Sequence, residues 1–222
     1  EQWKALPNYI DGENNVMVMA DTSGSMSGRP MATAVGLAMY FAERNSGAYR
    51  NTFMTFSESP ELVQFKDGMS VADRVNSIKS IVSNTDIEKA FDLILESAIE
   101  NDIPQEDMPK SLVVISDMQF DSATSSGWSW SGNKSSQKDY KTLFARMEEK
   151  FAKAGYEVPN CVFWNVASPK DTFQTTSDYI GIQMASGQST SVFKSIIANI
   201  GKTPYQAMVD TLDDPAYQAI RI

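Results

Sequence analysis

Short apolar runs that stop at a polar, turn-rich loop, each followed by a stretch of helical period, constrain this chain more than any other feature. Asn15–Ala20 is such a run, and it ends at Asp21. The loop Asp21–Gly28 follows, with Pro30 placed to open a helix at its first residue. Met31–Glu43 then carries apolar residues at 31, 34, 35, 38, 39 and 42, one face of a helix. Asn51–Phe56 reads as a strand and Glu61–Phe65 as a short edge strand after the turn Ser57–Pro60. Val71–Ile81 reads as a modest helix. The clearest helix is Ile87–Ile99, with apolar residues at 87, 90, 91, 94, 95, 98 and 99.

Leu112–Ile115 repeats the opening theme, an apolar run that ends at Ser116-Asp117. A helix over Tyr140–Lys153, strands at Cys161–Asn165 and Tyr179–Met184, and helices at Val192–Ile200 and Pro204–Leu212 complete the chain. Thr203 is placed to cap the last helix. This alternation predicts an α/β fold: a doubly wound, mostly parallel central sheet with one antiparallel edge strand and helices on both faces. The expected organisation is an extension over 1–14, one domain over 15–212, and a tail over 213–222. In such sheets ligands bind beyond the carboxyl ends of the strands, so Asp21 and Asp117 are expected on one rim.

Residues 122–137 interrupt the pattern with a Ser/Gly-rich insertion that holds Trp128 and Trp130. It reads either as a plain surface insertion or as a partner-contacting loop, since loops at a rim carry function and exposed tryptophan anchors interfaces.

Composition narrows the chemistry. The chain has 222 residues and no histidine, so a Ser-His-Asp triad, a Cys-His dyad and a histidine zinc site are all excluded. The net charge of -9 and the lack of a Lys/Arg cluster argue against a grip on phosphate backbones; Lys134, Lys138 and Lys141 are scattered. An acidic surface does suit cations. The single cysteine, Cys161, lies in an apolar run and reads as a buried core thiol. Without an intrachain disulfide or an apolar run long enough for a span, the expectation is a cytoplasmic location and no membrane contact.

Asp21-Thr22-Ser23-Gly24-Ser25 sets a carboxylate and two hydroxyls at alternate positions after a buried strand. Such oxygens are hard ligands, suited to Mg²⁺, Mn²⁺ or Ca²⁺. Two other Asp-centred motifs fail here. An aspartic protease wants glycine, and a haloacid-dehalogenase phosphatase wants aspartate, where Ser23 stands. Gly201-Lys202-Thr203 ends like a phosphate-binding loop, but Ile196 stands where that motif needs glycine.

Asp21-x-Ser23-x-Ser25, followed by Thr85 before the Ile87 helix and by Asp117 after the next buried strand, resembles the metal-ion-dependent adhesion site of von Willebrand factor A-type domains. The resemblance implies a Rossmann-like fold in which Ser23, Ser25 and Thr85 offer hydroxyls to a bound Mg²⁺ (or Mn²⁺ or Ca²⁺). Asp21 and Asp117 would bind it directly or through water. It also implies a non-enzymatic module whose under-neutralised metal accepts a Glu or Asp of a protein partner. Thr85 also reads as a simple helix N-cap. Asp86 reads as first-turn helix charge and Asp121 as loop polarity; Ser116 lies near the same rim.

The strings Val16–Met26 and Val113–Met118 are similar to the A-type domain of Ro-type ribonucleoproteins and to an uncharacterised related family of plants, bacteria and phages. In Ro-type proteins that domain follows a helical-repeat ring that binds RNA. The alternative implied is a component of a Ro-like RNA-binding particle, with RNA contact belonging to the parent protein.

Overall fold

The computed structural model describes residues 2–10, 15–56, 59–78, 87–118, 135–167, 181–200 and 202–215. Its strands are β1 (Val16–Ala20), β2 (Thr52–Thr55), β3 (Leu62–Gln64), β4 (Ser111–Ser116), β5 (Asn160–Asn165) and β6 (Ile182–Ser186). Its helices are α1 (Arg29–Arg44), α2 (Val71–Ser77), α3 (Ile87–Glu100), α4 (Ser135–Lys153), α5 (Thr190–Asn199) and α6 (Pro204–Leu212). The six strands form one sheet in the order β3-β2-β1-β4-β5-β6. Every neighbouring pair is parallel except β2–β3, which is antiparallel.

The two-residue period of a strand decides which side chains build which layer. Met17 and Met19 of β1, Leu112 and Val114 of β4, and Cys161 and Phe163 of β5 face α3 and α4. There they pack with Ile87, Phe91, Ile94, Leu143, Met147 and Phe151. The intervening residues Val16, Val18, Val113, Ile115, Val162 and Trp164 face the other way, against Ala34, Ala38 and Phe41 of α1 and Ile196 of α5. Both faces of the inner strands are therefore covered, which is why β1 and β4 read as continuous apolar runs rather than as alternations.

Residues 2–10 lie across the second layer. Trp3 Nε1 donates to Glu43 Oε2 at 2.7 Å, and Glu43 also pairs with Arg74 of α2. The Tyr40 hydroxyl donates to the Pro7 carbonyl at 2.8 Å and accepts the Tyr9 N–H at 3.0 Å. The Tyr9 ring meets the Phe193 ring of α5 edge-on, with centroids 5.8 Å apart.

Some boundaries differ from the sequence expectation. α1 starts at Arg29, so Pro30 is its second residue. The chain enters through Gly28 at φ 87°, a conformation that glycine adopts without steric cost. α4 starts at Ser135, five residues before Tyr140; its first turns are Ser-Ser-Gln-Lys-Asp, which carry no apolar period to reveal them. β6 runs on to Ser186, where its side chains become progressively exposed. Residues 79–81, 122–134 and 179–180 of the expected elements lie outside the described residues. Among the described residues no helix is long and apolar enough to cross a membrane.

Candidate metal centre

β1 and β4 are parallel neighbours, with Ala20 opposite Ile115. The next residue of each strand is therefore Asp21 and Ser116, side by side on the carboxyl rim. The ladder runs one bond further, from the Asp21 N–H to the Ile115 carbonyl at 2.9 Å. Asp21 is 1% exposed and Asp117 is 2% exposed, so two acidic side chains are buried at the same rim.

The loop after Asp21 folds back at once. Asp21 Oδ1 accepts the Ser23 N–H at 2.8 Å, a local turn of the kind aspartate favours. A 3-10 turn, Gly24–Met26, follows, and Met26 anchors it by burying its side chain completely. This places the Ser23 and Ser25 hydroxyls 3.0 Å apart and within reach of solvent. The other oxygen of Asp21, Oδ2, accepts a 2.6 Å hydrogen bond from Ser116 Oγ.

Burial is the main reason the Asp21 carboxyl holds its proton above its ordinary value of 3.8. Hydrogen bonds from Ser116 and Ser23 pull the other way, and the like charge of Asp117 adds to the rise. The Asp21 carboxyl is thus harder to ionise for the loss of water and for the nearby charge of Asp117. A cation placed beside it would offset both penalties.

The donor set fits a hard divalent ion. Among the described residues no group of three or more His, Cys, Asp or Glu side chains is clustered for a metal. The candidate ligands are instead two carboxylates and two hydroxyls, all oxygen. Two ligand oxygens on one edge of an octahedron around Mg²⁺ are about 3 Å apart, since Mg–O is about 2.1 Å. The Ser23–Ser25 separation of 3.0 Å equals that edge, though it also lets the two hydroxyls bond to one another.

Of the residues singled out from sequence, the structure brings Asp21, Ser23, Ser25 and Asp117 to one rim. Thr85, Trp128 and Trp130 lie outside the described residues, as do Asp86 and Asp121. Sequence reading gave Ser116 no role beyond its place near the rim, yet it contacts Asp21 directly. The signal was present: a hydroxyl closes the apolar run Leu112–Ile115, one position before the second aspartate.

Comparison with known proteins agrees with this architecture. A crystal structure of the Deinococcus radiodurans RO (RSR) protein superposes with a TM-score of 0.59 at 12% identity, over 90% of this chain and 36% of that one. At that identity the likeness is one of fold, the von Willebrand factor A-like α/β fold described above. A curated relative, "Uncharacterized protein L728" of Acanthamoeba polyphaga mimivirus, is 28% identical over 218 residues, covering 96% of this chain and 36% of the relative. The chain thus spans about a third of the length of each of these proteins. Residues 15–215 match the family described as "Domain of unknown function (DUF7788)", and with the match running from β1 to the end of α6, the chain belongs to that family.

Proposed function

We propose that this chain is a divalent-metal-dependent protein-binding module. The observation that carries the reading is the buried Asp21 carboxylate beside Asp117, with the Ser23 and Ser25 hydroxyls presented at the same rim. Asp21, Ser23, Ser25, Thr85 and Asp117 would hold Mg²⁺, or Mn²⁺ or Ca²⁺ in its place. When bound, the ion supplies a positive charge that the protein's own ligands only partly neutralise, and a Glu or Asp of a partner completes the balance. The hydroxyl ligands are neutral, which leaves that charge available. The buried carboxylates would fix the ion's position, and the short loop Asp21–Gly28 would keep it at the surface. The reading is one of binding rather than catalysis, because the sequence has no histidine to activate a hydroxyl or thiol nucleophile.

Titration calorimetry with Mg²⁺ and Mn²⁺ tests this. Wild type is expected to bind one ion, and Asp21→Ala is expected to lose that binding. Equal affinity in the two proteins would overturn the metal assignment.

A second reading makes the chain one part of a longer, Ro-like RNA-binding particle. It is supported by the fold shared with the Deinococcus protein, of which this chain spans 36%. In that case RNA contact belongs to other parts of the longer protein, since the net charge here is -9. Recovery of structured RNA by the isolated chain at moderate salt would favour a direct role; its absence is the expected result.

A further inference from the structure

We propose that Ser116 is a positioning residue of this centre, whose hydroxyl locks the Asp21 carboxylate and the Asp117–Met118 turn into one unit. The inference rests on the metal-site reading above and adds to it a residue that is not itself a ligand.

A serine hydroxyl carries one proton and two lone pairs. Ser116 Oγ has two polar neighbours here. Met118 N–H, 3.0 Å away, can only donate, so Oγ accepts from it. The single hydroxyl proton is then directed to Asp21 Oδ2, at 2.6 Å. That length lies in the range of charge-assisted O–H···O⁻ bonds. Ser116 is fully buried, so no water competes for either role. Ser23 and Ser25 are different: their hydroxyls face one another and either can be the donor.

The bond fixes what a cation would meet. Asp21 Oδ1 is held by the Ser23 N–H and Oδ2 by Ser116 Oγ. The Ser23 side chain also hydrogen-bonds this carboxylate; a carboxylate has about four lone-pair sites, so one remains in a defined direction. The other end of the relay holds strain. Met118 has φ 62°, a left-handed conformation unusual for a side chain of its size, and it is buried. Such residues persist where surrounding structure over-determines them. Here the Ser116 Oγ bond to the Met118 N–H closes the turn around Asp117. One hydroxyl therefore sets both the direction of the first acid and the turn that presents the second.

The test uses the whole chain with Mn²⁺ alone as probe. Calorimetry reads the Mn²⁺ Kd, and NMR reads amide exchange at Met118 in the metal-free protein. Ser116→Ala removes the hydroxyl, Ser116→Cys replaces it by a weak donor of similar size, and Ser116→Thr restores it. Ala and Cys are expected to weaken Mn²⁺ binding by about 10- to 100-fold, the usual loss when a partner of a ligand is removed. They are also expected to speed Met118 exchange, and Thr to restore both. A purely structural serine would lower stability and leave the Kd of the folded protein unchanged; that result, in either Ala or Cys, overturns the proposal. So does unchanged Met118 exchange in Ser116→Ala. If wild type binds no Mn²⁺, the metal reading itself falls and takes this role with it. If wild type binds and Ser116→Ala binds equally well, only the role of Ser116 falls.

Discussion

Replacing Asp21 by Asn removes one negative charge from a site that is 1% exposed and keeps a side chain of nearly the same shape. Burying an ion costs several kcal/mol even after relaxation. The two hydrogen bonds from Ser116 and Ser23 return about 1.5–3 kcal/mol each when they reach a charged acceptor. The sign of the remainder follows from the Asp21 pKa, which burial raises more than those bonds lower it. Without metal, the ionised carboxylate is therefore a net cost to the fold. Asp21→Asn removes that cost, but its amide offers one acceptor to two donors, so one of the bonds is lost; the variant is expected to lie within about 1–2 kcal/mol of wild type in EDTA at pH 7. For a domain of this size that is about 2–4 °C in Tm per kcal/mol.

Metal separates the two proteins. At about 100 times Kd a bound ion adds about 2.7 kcal/mol to wild type and little to the variant, so wild type then melts higher. The pH dependence supplies an independent check. Because the folded pKa lies above the ordinary 3.8, the folded state holds the proton more tightly than the unfolded chain. Wild type without metal then loses stability as pH rises from 3.8 through the folded value, and the cost persists above it. The stability of wild type relative to the variant is expected to rise as pH falls towards 3.8. Scanning calorimetry in EDTA and in Mg²⁺, at several pH values, reads all three effects. If the stability of wild type relative to Asp21→Asn in EDTA does not rise as pH falls from 7 towards 3.8, burial does not outweigh hydrogen bonding at Asp21.

Three further outcomes are expected. Phe91→Ala, which empties a fully buried position in edge-to-face contact with Phe144 and Phe151, should cost about 3–5 kcal/mol in urea unfolding; a cost under about 1 kcal/mol would show that this layer is not close-packed. Cys161 is fully buried and its thiol is pushed well above its ordinary range, so it should react with a thiol reagent only after denaturation; fast labelling of the native protein would contradict its placement against α3 and α4. Trp128→Ala together with Trp130→Ala should weaken binding of an acidic protein partner and spare Mn²⁺ binding; equal partner affinity would remove the tryptophans from the interface.

How far the sequence discloses this molecule depends on whether a feature is local. β1 and β4 are visible because both faces of each strand are buried, so their apolar runs are unbroken. α3 is visible because one stripe repeats with helical period. The rim position of Asp21 and Asp117 follows from parallel strands alone. The start of α4 is invisible because its first turns are polar. The role of Ser116 depends on the register of two strands separated by most of 95 residues, and no local pattern encodes that pairing. Met118 has a side chain that gives no hint of a left-handed backbone, which usually announces itself through glycine.

The segment 2–10 bears on how this protein can be cut. It lies before residue 15, where the family match begins, yet Trp3, Pro7 and Tyr9 supply hydrogen bonds and ring contacts to α1 and α5. A fragment trimmed to the match would keep the whole Asp21 loop and both acidic residues. It would also bare the Tyr40 and Phe193 rings and leave Glu43 with its arginines alone. Such a fragment would present a sticky aromatic wall on the α1–α5 face, and a binding screen run on it would report the wall as readily as the site.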